Sequence, residues 1–341
     1  MHPAAAAEYP GLDRIYLDTA SYGLPPAATV AVLRAALDSW AAGSADWVAD
    51  WDGAGDRCRE LVAPMLGAPA AEVSLQPAVS VAAAIAVTSL RPGGEIVAPR
   101  DEFASVLLPA LAAAEQRGAT VRRVEFGALA DSLSERTALV VSSHVRSNDG
   151  RVQDLAALGA AAARAGARVL VDATHSAGIL PVDAARHGIH YVVAAAYKHL
   201  LCPRGVAFLR VAPGEFAQTL PIAGSWRAAR EPYGYFYGPE LSDLAPTAAR
   251  YDVAPGDHTV REFASSGTPI PPAPDRPVRT TTPSPRRRSG GTQRASTASG
   301  TPRASTARGA APTGRNPSAH RPARHGGAGQ NSGRNSGSGI R

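Results

Sequence analysis

The sequence predicts an α/β domain built on a mainly parallel sheet with helices on both faces, followed by a long basic tail without regular structure. Three observations carry this expectation. Helical and strand-like apolar patterns alternate between about residues 27 and 256. The strand-like runs are short and almost continuously apolar, as strands covered on both faces require. Beyond residue 263 both patterns stop, and large apolar side chains nearly vanish with them.

Taken in order, residues 27–42 (AATVAVLRAALDSWAA) space their apolar positions three and four apart, the period of one helix face. Further helical segments are expected at 53–66, 79–90, 104–117 and 152–165. Between them lie apolar runs of strand length at 73–75, 95–98, 120–124, 138–143, 168–172, 191–196 and 206–211. Strands of this length alternating with helices make βαβ units. The last 78 residues, 264–341, contain 13 Arg, one acidic residue (Asp275) and only Ile270, Val278 and Ile340 as large apolar side chains. Such a segment cannot offset a backbone entropy cost of roughly 1–2 kcal/mol per residue, so disorder is expected there. Its charge of +12, set against +6 for the whole chain, leaves −6 on the first 263 residues. The basic character belongs to the tail, and a nucleic-acid or other polyanionic partner would be bound only through it.

Composition also narrows the setting. The opening MHPAAAAEYPGLDR lacks the basic and apolar regions of a secretory leader. The longest apolar stretch, 79–90, falls short of the roughly 20 residues a bilayer needs, so no membrane span is expected. Cys58 and Cys202 are the only cysteines, and neither has a partner at zinc-site spacing, which points to a reducing cytoplasmic setting without a metal.

The chemistry concentrates around one amine. The chain has 34 Arg and a single Lys, Lys198, at the end of the apolar run in HYVVAAAYKHLLCPRG (190–205). Arg replaces Lys as a solvated charge but cannot form an imine, because guanidinium stays protonated. Chance survival of one surface Lys is the bland alternative; the apolar setting weighs against it, since a desolvated amine has a depressed pKa and becomes nucleophilic. Upstream, VDATHSAG (171–178) ends a strand-like run at Asp172, 26 residues before Lys198. A carboxylate at the C-terminal edge of a parallel strand lies where α/β folds bind ligands. Alone it would equally serve as a helix cap or metal ligand; followed by a strand-borne Lys, the pair suggests a pyridine-type cofactor that needs both groups.

VDATHSAG followed by AAAYKHLLCPRG resembles class V aminotransferases, the fold-type I pyridoxal 5′-phosphate (PLP) family that includes cysteine desulfurases, kynureninases and isopenicillin-N-epimerase-like proteins. Four further stretches resemble the family in the same order: YLDTASYGLPP (16–26), VSLQPAVSVAAA (73–84), DEFASVLLP (101–109) and SSHVRSNDGRVQDL (142–155). The resemblance covers about residues 14–253 and implies a three-layer α/β/α domain around a mainly parallel, mixed sheet. It also implies a PLP cofactor, a small amino-acid substrate and a homodimer.

Residue by residue, the resemblance implies that Lys198 holds PLP as a Schiff base and moves the substrate α-proton, and that Asp172 pairs with the pyridinium nitrogen. His175, where relatives often have Gln, would donate to the phenolic oxygen; its plain alternative is a core histidine. Phe103 stands where many relatives stack a His on the ring, which keeps the stacking and removes a titratable group. Ala78, Val79 and Ser80 open a helix whose amides would hold the phosphate. Tyr197 is implied near the phosphate, and Ser147 where relatives place an Asn near the PLP oxygen. AGSWRAAREPYGYFYG (223–238) resembles a stretch exchanged across class V dimer interfaces, with core or interface as its default reading.

PTAARYDVAP (246–255) is similar to the turn that enters the family's small C-terminal domain, yet the chain beyond it is rich in residues with GC-rich codons. The expected organisation is an N-terminal arm (1–15), a PLP-binding large domain (16–225), the start of a truncated small domain (226–256) and a disordered basic tail (257–341). A reading-frame shift near 255–264 explains the switch, and a genuine polyanion-binding tail is its rival; an intact small domain encoded in another frame would decide for the former. In the family the small domain grips the substrate carboxylate, so weak turnover is expected of this chain.

Overall fold

A seven-stranded sheet organises the computed structural model, which describes residues 7–234 and 237–253. The strands are β1 (Val73–Gln76), β2 (Glu95–Pro99), β3 (Thr120–Val124), β4 (Thr137–Ser143), β5 (Arg168–Asp172), β6 (Tyr191–Ala195) and β7 (Ala207–Val211). Their order in the sheet is β1-β7-β6-β5-β4-β2-β3. Pairs within β3-β2-β4-β5-β6 are parallel, whereas β7 runs antiparallel to both β6 and β1. The sheet is therefore mixed, with one reversed strand among the described seven.

The helices are α1 (Ala27–Ala41), α2 (Gly53–Val62), α3 (Val79–Ala86), α4 (Ala104–Gln116) and α5 (Leu155–Ala165). Alternate residues of each central strand feed opposite cores, because side chains in a strand point to opposite faces in turn. Val140, Val169, Val171 and Val192 pack with Cys58 and Val62 of α2 and Leu158 and Ala162 of α5. Leu139, Val141, Leu170 and Val193 pack with Ile85 of α3 and Val106 and Ala110 of α4. Both faces are thus dry, which explains why β4, β5 and β6 read as continuous apolar runs. Burying each Val or Leu contributes about 1.5–3 kcal/mol.

Three helix boundaries differ by several residues from the periodic pattern, two of them for a local reason. Helix α5 starts at Leu155 instead of 152, because the Asp154 side chain accepts the Ala157 N–H at 2.9 Å and Val152 is drawn into a bridge with Val145. Helix α2 tightens into a 3₁₀ turn over Ala63–Leu66, where Pro64 lacks an N–H for the α-helical ladder. Helix α3 likewise gives way to a 3₁₀ turn at Val87–Ser89.

The segment after β7 folds back on the edge of β1. Asp252, 1% exposed, accepts from Arg59 Nη1 (3.1 Å), Ser74 Oγ (2.8 Å) and the Leu75 N–H (3.0 Å). Gln76 Nε2 donates to the Tyr251 carbonyl at 2.7 Å. These bonds occupy polar groups of an otherwise open sheet edge. Within 223–238, Trp226 and Tyr233 pack with Trp47, and Arg227 pairs with the buried Asp52. The expected basic tail and the junction at 255–264 lie outside the described residues. Among the described residues no helix is long and apolar enough to cross a membrane.

Candidate active site

The carboxyl ends of β1, β2, β4, β5 and β6 open onto one cleft of about 260 Å³. Loops leaving parallel strands diverge there, which is where open α/β sheets take ligands. All nine residues singled out in the sequence line it: Lys198, Asp172 and His175; Phe103, Tyr197 and Ser147; and the helix-opening trio Ala78, Val79 and Ser80.

Asp172 is the last residue of β5 and is 5% exposed. Its Oδ1 accepts the Thr174 N–H at 2.9 Å, while the Thr174 hydroxyl accepts the Ala195 N–H at 3.0 Å. Burial pushes its carboxyl up from 3.8 to about 6; Thr174 and Lys198 oppose this and Glu102 adds to it. Lys198 follows β6 and is 8% exposed. Its Nζ lies 3.0 Å from His175 Nε2 and 5.5 Å from the centre of the Phe103 ring. Burial holds this amine below the ordinary Lys range, and attraction to Asp172 only partly offsets it. Burial, then Lys198 and His199, hold His175 down at about 4, so its imidazole is neutral at pH 7.

Phe103 sits just ahead of α4 with nearly half its surface exposed to the cleft. Glu102 fixes it from behind. Glu102 Oε1 accepts the Phe103 N–H (2.7 Å) and the Ser143 hydroxyl (2.5 Å), and its Oε2 accepts the Ser143 N–H (2.8 Å). One carboxylate thereby ties the loop after β2 to the end of β4. On the opposite wall, α3 begins at Val79 with an extended Ala78 before it, no side-chain cap and no acidic residue in its first turn. Its first N–H groups are left for a ligand or water. Ser80 and Ser147 are exposed. The neighbours of Ser147 are anchored, with Arg146 paired to Asp101 and Asn148 Nδ2 donating to Asp101 at 3.0 Å.

The structure adds residues that the motifs contain but sequence reasoning passed over. Thr174 lies inside VDATHSAG, Glu102 immediately precedes Phe103, Ser143 ends β4, and Arg204 closes the stretch after Lys198. Their place in the motifs was the available signal; which way each side chain turns at a strand end was not. Gly23 is another. Its N–H donates to the Tyr197 carbonyl at 2.8 Å, and a Cβ there would meet the Lys198 carbonyl oxygen at 2.2 Å. Only glycine lets the stretch 16–26 lie this close to the lysine loop.

Known proteins resemble this chain in sequence and in fold. The chain is 29% identical over 225 residues to isopenicillin N epimerase of Streptomyces clavuligerus, covering 62% of this chain and 54% of that protein. It is 31% identical over 217 residues to kynureninase of Pseudomonas fluorescens, covering 58% and 51%. The chain spans about half the length of these two relatives. Among solved structures, the cystine C–S lyase C-DES in complex with its product cysteine persulfide aligns with a TM-score of 0.67 at 23% identity, over 75% of this chain and 71% of that one. The apo cysteine desulfurase of Thermococcus onnurineus NA1 aligns at 0.64 and 21%, over 74% and 66%. At these identities the likeness concerns the fold. Residues 15–231 match the family model described as aminotransferase class-V, a span that includes every side chain of the cleft. The chain belongs to the aminotransferase class-V family, whose members are PLP-dependent enzymes.

Proposed function

We propose that this chain binds PLP in the cleft through Lys198 and acts on the amine of a small amino acid. One observation carries the reading: a desolvated lysine amine and a buried carboxylate with a raised pKa face one cleft, walled by an aromatic ring and an uncapped helix start. The donor set fits PLP at each end. A buried carboxylate that burial disfavours gains from a cationic ring nitrogen. A phosphate gains from free amides at a helix N-terminus.

When bound, PLP supplies an electron sink for charge developing on the substrate α-carbon. The chain's own residues do the rest. Asp172 holds the charge at the ring nitrogen, and the Thr174 N–H keeps its Oδ1 aimed. Lys198 Nζ would hold the cofactor through its aldehyde and would take and return the substrate α-proton, a role favoured by the burial that lowers its pKa. His175 would donate to the phenolic oxygen, and Phe103 would cover one face of the ring. The amides of Val79 and Ser80, with the Ser80 hydroxyl, would hold the phosphate, with Tyr197 beside them, and Ser147 would contribute from the rim.

We read residues 16–225 as the cofactor-binding domain and 226–256 as the entry to a second one. A homodimer in the cytoplasm is the setting that the family suggests. The test is direct. Purified chain mixed with PLP should develop a visible absorbance band that borohydride bleaches, leaving the cofactor mass on the peptide containing Lys198. Lys198→Ala should give neither. A wild-type chain that stays colourless and unlabelled would overturn the reading.

A further inference from the structure

We propose that Arg204 is the cation that anchors the cofactor phosphate, held in place by the rings of Tyr22 and Tyr197. This rests on the reading of the cleft as a PLP site and adds a residue to it.

The geometry is specific. The guanidinium carbon of Arg204 lies 5.2 Å from the centre of the Tyr197 ring and 5.6 Å from that of Tyr22. The two rings are 6.0 Å apart, so the three groups form a compact triangle. Each cation–π contact is worth about 0.5–1 kcal/mol at such a site, enough to restrict the side chain. The rings take up none of its N–H donors as hydrogen bonds to oxygen. Among the described residues no carboxylate lies within ion-pairing distance of Arg204, whereas Arg59, Arg122, Arg168 and Arg210 each have one. A pre-placed guanidinium with a free donor fork fits a phosphate, which it can grip through two parallel bonds.

Charge balance selects the ligand. A phosphate monoester carries about −1.5 to −2 at pH 7. The start of α3 offers about +0.5 through its dipole, with no basic side chain at the cap. Lys198 is committed elsewhere, 3.0 Å from His175 and coupled to Asp172. A full positive charge is still wanted, and Arg204 is the other cation among the described residues lining the cleft, in company with Ala78, Val79 and Ser80. Tyr197 links the two walls: it lines the cleft and carries Arg204 on its ring. Tyr22 comes from the stretch whose Gly23 is pinned to the lysine loop, so Arg204 is gripped from two separate parts of the chain.

The test compares PLP with pyridoxal, which has the same aldehyde and ring without the phosphate. The full chain and its Arg204→Gln, Arg204→Lys and Tyr22→Leu variants are titrated with each, following the visible absorbance and intrinsic fluorescence. Arg204→Gln should weaken PLP binding by at least about tenfold, the size of one charge-assisted hydrogen bond, and leave pyridoxal binding unchanged. Arg204→Lys should recover part of the loss, and Tyr22→Leu should show a smaller loss confined to PLP. Unchanged circular dichroism guards against a folding defect. An unaltered PLP-to-pyridoxal preference in Arg204→Gln overturns the proposal, as does a variant that weakens only amino-acid binding, which would make Arg204 a substrate-carboxylate ligand. If the wild-type chain binds neither aldehyde, the cofactor reading itself falls and takes this proposal with it.

Discussion

Removing the charge of Asp172 should make the cofactor-free chain more stable while disabling its site. Burial moves the carboxyl from 3.8 to about 6, a value that already includes its attraction to Lys198 and the bond from Thr174. At about 1.4 kcal/mol per pH unit, keeping this group ionised in the folded state costs up to about 3 kcal/mol at pH 8. Asn has the same shape and still accepts the Thr174 N–H, but carries no charge to desolvate. The sign comes from the raised folded pKa. Below pH 3.8 the wild-type carboxyl is neutral in both folded and unfolded chains, so the penalty is absent. As the pH rises towards 6 the unfolded chain ionises first, and wild-type stability falls relative to Asp172→Asn. Above about pH 6 the gap is constant. Urea unfolding of both proteins without cofactor, at intervals from pH 4 to 8, measures it. A gap that does not change with pH, or a wild-type chain that is the more stable at pH 8, would rule out a desolvated carboxylate at this position. In the same variant PLP binding should weaken, since the ring nitrogen loses its counter-charge.

Three other perturbations probe the geometry. Glu102→Ala removes the acceptor for Phe103 and Ser143 and should cost about 2 kcal/mol in thermal or urea unfolding, with weaker PLP binding as the ring wall loosens. Gly23→Ala forces a backbone displacement against the Lys198 carbonyl and should cost about 1–3 kcal/mol, seen as faster proteolysis of residues 16–26. Asp252→Ala leaves the buried Arg59 guanidinium with only Asp56 and the Val73 carbonyl and removes the acceptor of Ser74 and of the Leu75 N–H, so it should cost about 3–5 kcal/mol by urea titration, whereas Asp252→Asn, which still accepts from the Leu75 N–H, should cost less.

Much of the molecule is legible in the chain because its signals are local. Strands β4, β5 and β6 announce themselves as apolar runs, since two dry faces demand it. Each expected helix lies within a few residues of the observed one, because the spacing of apolar positions is set by the helix's own period. Lys198 is conspicuous as the single amine in an arginine-rich chain, and Asp172 as the carboxylate that closes a strand. Even so, periodicity places the start of α5 too early: the Asp154 cap and the Val145–Val152 bridge compete with helix period in a way that only the folded loop reveals.

How distant parts of the chain meet is a different matter. The reversal of β7 depends on pairing with β6 and β1 across the chain, and nothing in its five residues encodes direction. Glu102 reaches Ser143, 41 residues further along the chain, and Gly23 meets Lys198 across a far longer gap. Arg204 reads as one more arginine until Tyr22 and Tyr197 are seen around it. Secondary structure depends on neighbours along the chain, so it can be read there. The polarity and reach of a site depend on which strand ends the sheet brings side by side, and only folding settles that.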